Sequence, residues 1–217
     1  MSRAGALRMA GAGDRANRDR DDYYPTPPAA TAALLRVERF AAVWECACGD
    51  GRMARELEAG GCRVVATDLV DRGYGQGRID FLMERRLLAA DIVTNPPFKL
   101  GAQFARHGLN LGAGKMALLL RLGFLEGSGR GDVLDRLARV WVFRGRLTFS
   151  RRGEIADPKG GMIAYAWFVW DRAHVGPATV GWIEAKLASV GVSDRPSGRL
   201  DGGGTVSVPP GPLAWGW

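Results

Sequence analysis

Apolar residues recur along the chain in two spacings, one helical and one continuous, and the two alternate. Ala33, Leu34, Val37 and Phe40 fall on one face of a helix predicted over Ala30–Phe40. Pro27-Pro28 suits its first turn, where a missing N–H costs nothing. Val43-Trp44-Glu45-Cys46 predicts a short strand, and Arg52–Ala59 a helix ending at Gly60-Gly61, where glycine relieves the strain of a left-handed cap. Arg63–Thr67 reads as a second strand ending at Asp68, and Ile79–Phe81 as the end of a weak third. Asp91–Thr94 makes a fourth, stopped by Asn95-Pro96-Pro97 because proline cannot continue the ladder. A helix over Ala102–Leu111 leads into Lys115–Leu120, the most hydrophobic strand. Val140–Phe143 and Ile163–Trp170 complete the set as an antiparallel pair closing one edge.

Strands alternating with helices predict a doubly wound α/β sheet, whose ligands bind outside the carboxyl ends of the strands. Glu45, Asp68, Asp80 and Asn95 all stand at or just past a predicted strand end, so they form one candidate site. Residues 1–22 mix both charges with few large apolar side chains and are expected to be a disordered arm. Residues 193–217, rich in Gly and Pro, are expected to be a loose tail carrying Trp215 and Trp217, which leaves 23–192 as the folded domain.

Charge narrows the class of partner. Thirty Lys and Arg against 23 Asp and Glu give a net charge of +7, which suits a polyanion. No apolar run reaches the roughly 18 residues that span a bilayer, and the first 22 residues lack the apolar segment of a signal peptide; a soluble, cytoplasmic protein is expected. Cys46, Cys48 and Cys62 lack the spacing of a zinc site and read as small buried side chains, and His107 and His174 stand apart from any ligand cluster, so no metal is expected.

The segment Glu45-Cys46-Ala47-Cys48-Gly49-Asp50-Gly51-Arg52 is a strand, a glycine turn and a helix start. Glycine serves where a backbone turns sharply and lets a ligand come close. The spacing departs from the pyrophosphate-binding G-x-G-x-x-G, which points to a ligand without phosphates. Roughly 20 residues further on, Asp68 stands where a carboxylate can accept both ribose hydroxyl protons of a nucleoside.

Asn95-Pro96-Pro97-Phe98 is the most specific signal. The Asn oxygen and the Pro96 carbonyl can each accept one N–H of a planar amine, favouring a pyramidal nitrogen whose developing positive charge is stabilised. The prolines hold these acceptors still, and Phe98 offers an aromatic face to a base taken out of its stack.

These motifs together, in this order, resemble the class I S-adenosylmethionine (SAM)-dependent methyltransferases, and among them the small phage or prophage DNA adenine methyltransferases. Glu45-x-Ala47-Cys48-Gly49-x-Gly51 is similar to their first motif, and Asp68, followed by Leu69, falls where their ribose-binding acid is expected. Tyr24-Pro25-Thr26 resembles the segment that contacts the methionine end of SAM, and Asp80-Phe81 the pair that holds its adenine. The resemblance covers about Asp22–Arg121. It implies a Rossmann-like, seven-stranded, mostly parallel sheet with an antiparallel edge hairpin, SAM as cofactor, a catalytic Asn95-Pro96-Pro97-Phe98, and transfer of methyl to adenine N6 of DNA with short or relaxed specificity, in the cytoplasm of a bacterium or a phage-infected cell. Asn-Pro-Pro-aromatic also occurs in enzymes acting on RNA adenine or on a protein glutamine amide, so those substrates stay open, as does an inactive fold that only binds nucleic acid.

Between Arg139 and Lys159 six basic residues face two acids, with Trp141, Phe143 and Phe149 interspersed. Arg151, Arg152 and Lys159 are the phosphate candidates, with Trp141 and Phe143 assigned to the core.

Overall fold

The computed structural model describes residues 23–145, 147 and 163–185. The expected arm, the tail, and the phosphate candidates Arg151, Arg152 and Lys159 lie outside the described residues.

Seven strands form one sheet: β1 (Ala42–Glu45), β2 (Arg63–Ala66), β3 (Asp91–Thr94), β4 (Lys115–Arg121), β5 (Arg139–Phe143), β6 (Tyr165–Asp171) and β7 (Thr179–Ile183). They lie in the order β2-β1-β3-β4-β6-β5-β7. The first four in that order run parallel, β6 is antiparallel to both β4 and β5, and β7 is parallel to β5. The carboxyl ends of β1 to β4 therefore share one edge, and the start of β6 joins them there through the pairing of Arg121 with Tyr165.

The helices are α1 (Pro28–Val37), α2 (Arg52–Ala59), α3 (Gly101–Leu111) and the single turn α4 (Gly131–Leu134). Period-two alternation of the strands sorts their side chains into two cores. Met116, Leu118 and Leu120 of β4 and Phe168 and Trp170 of β6 pack with Phe104 of α3 and Val133 of α4. Ala117, Leu119, Trp167 and Val169 face the other way, against Ala33 and Leu34 of α1 and Met53 and Leu57 of α2. With both faces covered, β4 and β6 are continuous apolar runs, as strands of a doubly wound sheet must be. Each such side chain taken fully from water contributes about 1.5–3 kcal/mol. The buried indoles also bond across the layers: Trp167 Nε1 donates to the Ala30 carbonyl at 3.0 Å and Trp170 Nε1 to the Val133 carbonyl at 2.7 Å.

Three sequence expectations need correction. Ile79–Phe81 is not a strand: it lies in the long connection after β2, and Phe81 begins a 3-10 turn (Phe81–Met83) capped by the Asp80 carboxylate. Nor does the antiparallel pair close the sheet as an edge hairpin, because β7 adds outside β5. The total of seven strands holds through this exchange of one strand for another. The first helix also stops at Val37, three residues before Phe40.

At the amino end of β4 and β5, Glu38 accepts hydrogen bonds from Lys115 (2.9 Å), Arg139 and Trp141 (2.9 Å), and Arg139 also donates to Asp171 (2.7 Å). Burial works to raise the Glu38 carboxyl, but these bonds outweigh it and hold the group below its ordinary value. This cluster ties the loop after α1 to three strands, at the end of the sheet away from the candidate site.

Candidate active site

The glycine turn after β1 is set by two residues with left-handed backbone, Gly49 (φ 55°) and Gly51 (φ 80°). The Cys48 N–H donates to the Thr67 carbonyl at 3.0 Å and the Gly51 N–H to the Cys48 carbonyl at 2.8 Å, which folds the turn over the end of β2. A side chain is excluded at both glycines for a second reason. The Tyr23 ring packs against Gly49 and the Tyr74 ring against Gly51, where a Cβ would overlap them. Arg72 lies 4.1 Å from the Tyr23 ring centroid and Arg55 4.5 Å from that of Tyr74, so each ring is held by a cation on its face.

Asp68 is fixed by the backbone. The Gly49 N–H donates to its Oδ2 and the Val70 N–H to its Oδ1, both at 2.8 Å. Each carboxylate oxygen keeps acceptor capacity for one further donor, the geometry a vicinal diol needs.

A cavity of about 430 Å³ opens at the carboxyl edge of the sheet. It brings together Tyr24, Pro25, Thr26, Glu45, Ala47, Cys48, Asp68, Leu69, Asp80, Phe81, Asn95, Pro96, Pro97 and Phe98. Gly49 and Gly51 are the two predicted cofactor residues that do not line it; they shape the turn and seat the tyrosines instead. Phe81 reaches the cavity wall from a buried cluster with Trp44 (centroids 5.1 Å apart), Phe104 (4.8 Å) and His107 (4.9 Å), while Asp80 stays exposed at the rim.

Two buried acceptors in this cavity have no hydrogen-bond partner among the described residues, Glu45 Oε2 and Asn95 Oδ1. An orphaned buried acceptor costs about 1–3 kcal/mol, so two in one cavity mark where donors of a ligand belong. Burial, reinforced by the charges of Asp68 and Asp50, pushes the Glu45 carboxyl well above its ordinary range against an opposing bond from the Ala54 N–H. Asn95 is oriented by its other atom: Nδ2 donates to Thr26 Oγ1 at 3.1 Å and to the Tyr24 carbonyl at 3.3 Å. With the nitrogen committed to these acceptors, the oxygen is left as the free acceptor.

The chain reaches this geometry because β3 ends at Thr94, Pro96 and Pro97 forbid its continuation, and Pro97 (φ −51°, ψ 124°) starts the 3-10 turn Phe98–Leu100 that runs into α3. The Phe98 ring lies 6.1 Å from that of Tyr24 at an interplanar angle of 25°, and 5.5 Å from that of Tyr165. Arg121 at the end of β4 places its guanidinium 4.9 Å from the Phe98 centroid. Tyr165 and Arg121 escaped sequence reasoning, since only the β4–β6 register brings them to Asn95-Pro96-Pro97-Phe98.

Covalent chemistry through sulfur or phenolate is disfavoured here. Burial, aided by the Glu45 charge, pushes the Cys48 thiol up to about 12, and Cys46 is displaced in the same direction. Burial and the nearby Asp50 push the Tyr23 hydroxyl up to about 12, and it accepts from the Asp50 N–H at 3.1 Å. Among the described residues no cluster of three or more His, Cys, Asp or Glu could hold a metal ion, and no helix is long and apolar enough to cross a membrane.

No protein-family model matches this chain, and no curated protein matches it in sequence. Solved structures do match in shape. The methyltransferase subunit of the type I restriction-modification system of Streptococcus thermophilus superposes with a TM-score of 0.52 at 15% identity, over 76% of this chain and 47% of that one. A protein of Vibrio vulnificus described as a modification subunit of a type I restriction enzyme gives 0.51 at 14% identity, over 86% and 51%. The chain thus spans about half the length of either. Together with the sheet order, this likeness gives the chain the Rossmann-like fold of the class I methyltransferases, with the cavity described above at the carboxyl edge of the sheet.

Proposed function

We propose that this protein transfers a methyl group from SAM to the N6 amine of adenine in DNA. The observation that carries the reading is the Asn95 amide: its nitrogen is held by Thr26 and Tyr24, and its oxygen is a buried acceptor without a partner among the described residues, on a residue that lines the shared cavity. A conjugated amine is a poor nucleophile because its lone pair is delocalised. An acceptor fixed beside it stabilises the positive charge that develops as the nitrogen pyramidalises, and needs no reorganisation to do so. Pro96, which has no N–H to compete, offers its carbonyl as the second acceptor, and the two prolines hold both in place.

The cavity's remaining polar groups fit the cofactor. Asp68 has one acceptor position per oxygen left for a ribose diol. Glu45 Oε2 is suited to an ammonium group, which would draw off the proton that burial favours. Asp80 and Phe81 stand where an adenine amine and ring would meet a carboxylate and an aromatic wall, and Leu69 adds apolar surface. Bound SAM supplies an electrophilic methyl on a sulfonium. The proton lost from N6 passes to water once the nitrogen carries the charge.

DNA is the preferred substrate on the Tyr24-Pro25-Thr26 segment, the net charge of +7 and the aromatic Phe98, suited to a base flipped from the duplex. Both type I restriction-modification proteins of similar shape agree with a nucleic-acid substrate. The test is incubation with methyl-labelled SAM and, in parallel, unmethylated DNA, RNA and a protein extract. Label recovered as N6-methyldeoxyadenosine supports the reading; label in RNA or protein alone replaces the substrate, and no transfer to any of them removes the activity.

A further inference from the structure

Phe98 and Lys99 belong to two cavities, not one. Beyond the first, a separate cleft of about 370 Å³ lies at the carboxyl end of β4, walled by Phe98, Leu120 and Phe124 and edged by Lys99, Arg121 and Arg130. Among the described residues no carboxylate lines it. Arg130 spends Nη1 on the carbonyls of Gly123 (3.2 Å), Phe124 (2.9 Å) and Glu126 (2.6 Å), which fixes the loop after β4, and its guanidinium covers the Phe124 ring at 4.9 Å. Arg121 covers Phe98 in the same manner at 4.9 Å. Among the described residues neither Arg121 nor Lys99 has an ion pair or hydrogen bond to an acidic side chain, unlike Arg52, Arg106, Lys115 and Arg139, which do.

Three cations around one cleft repel each other and are stabilised by an anion. Guanidinium groups stacked on aromatic rings keep their N–H edges for such an acceptor. We propose that this cleft binds a phosphodiester of the DNA strand beside the target adenine, through Arg121 and Lys99, with Phe98 as the partition between the backbone and the reacting base. The inference rests on the reading of the protein as a DNA methyltransferase and adds to it a backbone site within the described residues, independent of the 151–159 stretch. A phosphate held one wall away from Asn95 would fix the strand while the base enters the other cavity.

The experiment measures binding of a mixed-sequence DNA duplex, and of an RNA duplex of the same sequence, over a salt series for wild type, Lys99→Gln, Arg121→Gln and Arg121→Lys. Each Gln variant is expected to lose about threefold to tenfold in DNA affinity at fixed salt, and to reduce the slope of log K against log salt by about one. Arg121→Lys should restore most of the slope. SAM affinity and thermal midpoint of Arg121→Gln serve as the check on folding. A wild-type slope in both Gln variants overturns the site, and so does a loss seen on RNA and not on DNA. Methyl transfer measured on the same DNA separates the two claims: transfer with unchanged slopes leaves the substrate and removes this site, whereas reduced slopes without transfer keep the site and remove the substrate.

Discussion

Thr26 Oγ1 accepts from Asn95 Nδ2 across 69 residues of sequence, and together with the Tyr24 carbonyl, which can only accept, this bond leaves the amide oxygen as the end without a partner among the described residues. Without the hydroxyl only the longer bond to the Tyr24 carbonyl holds the amide, which turns more readily and then presents N–H groups to an amine, a repulsive arrangement. Thr26→Val should therefore lower kcat by about tenfold, the worth of one hydrogen bond of roughly 1.4 kcal/mol, with SAM affinity within about twofold. Thr26→Ser should keep most of the rate. Steady-state kinetics with separate kcat and KM decide it, and equal loss in both variants would assign Thr26 to packing.

Asp68 is held by two backbone N–H groups, so its role can be separated from its charge. Asp68→Ala should weaken SAM binding by about tenfold to a hundredfold, since hydrogen bonds to a charged group are worth about 1.5–3 kcal/mol. Calorimetric titration checks this, and unchanged affinity would remove the ribose assignment.

Glu45 has a raised carboxyl pKa and an orphaned oxygen, which predicts a proton linkage. In the free protein a carboxyl raised in the fold favours stability below its unfolded value, and that stability is lost as pH rises through the folded value. An ammonium placed beside it reverses the preference, so SAM binding should release a proton and tighten as pH rises. Glu45→Gln should abolish the release and bind SAM about tenfold more weakly at neutral pH. Titrations in buffers of different ionisation enthalpy measure the proton count, and a wild type with no buffer dependence contradicts the pairing.

The Glu38 cluster predicts the opposite sign. Burial raises both Glu38 and Asp171, but the bonds from Arg139, Trp141 and Lys115 to Glu38, and from Arg139 and the Ala173 N–H to Asp171, hold both carboxyls below their ordinary values. Their stabilisation is present above the unfolded carboxylate range and is lost as pH falls through the lower folded values. Denaturant unfolding should show stability falling below about pH 4.5 in wild type, with a shallower fall in Glu38→Gln, which should also be less stable at neutral pH by about 2–4 kcal/mol. Parallel acid limbs in the two proteins would remove the cluster from acid unfolding.

Sequence patterning captured those elements whose own residues carry the signal. Arg52–Ala59 matches its helix because Met53, Ala54 and Leu57 share one buried face, and β4 is legible because sheet burial on two sides requires an unbroken apolar run. Ile79–Phe81 misled because a single core ring, Phe81, belongs to a loop that crosses the sheet end. Strand β7 was missed since Val180 and Trp182 are exposed and Gly181 interrupts it; that glycine is needed because Trp141 packs where its Cβ would lie. The motif residues Glu45, Asp68 and Asn95 were legible at strand ends. The contacts that orient them, Thr26 to Asn95 and Tyr74 against Gly51, join distant segments and leave no local pattern.

In the proposed reaction Asn95 Oδ1 accepts from the adenine N6 amine during transfer. Its most direct test quantifies N6-methyldeoxyadenosine by nucleoside mass spectrometry after unmethylated DNA is incubated with SAM and either wild type or Asn95→Ala, with SAM affinity measured on both proteins. N6-methyldeoxyadenosine is expected with wild type, with a loss of at least about a hundredfold in Asn95→Ala and SAM affinity nearly intact. Methylation by Asn95→Ala at a rate near wild type would contradict it.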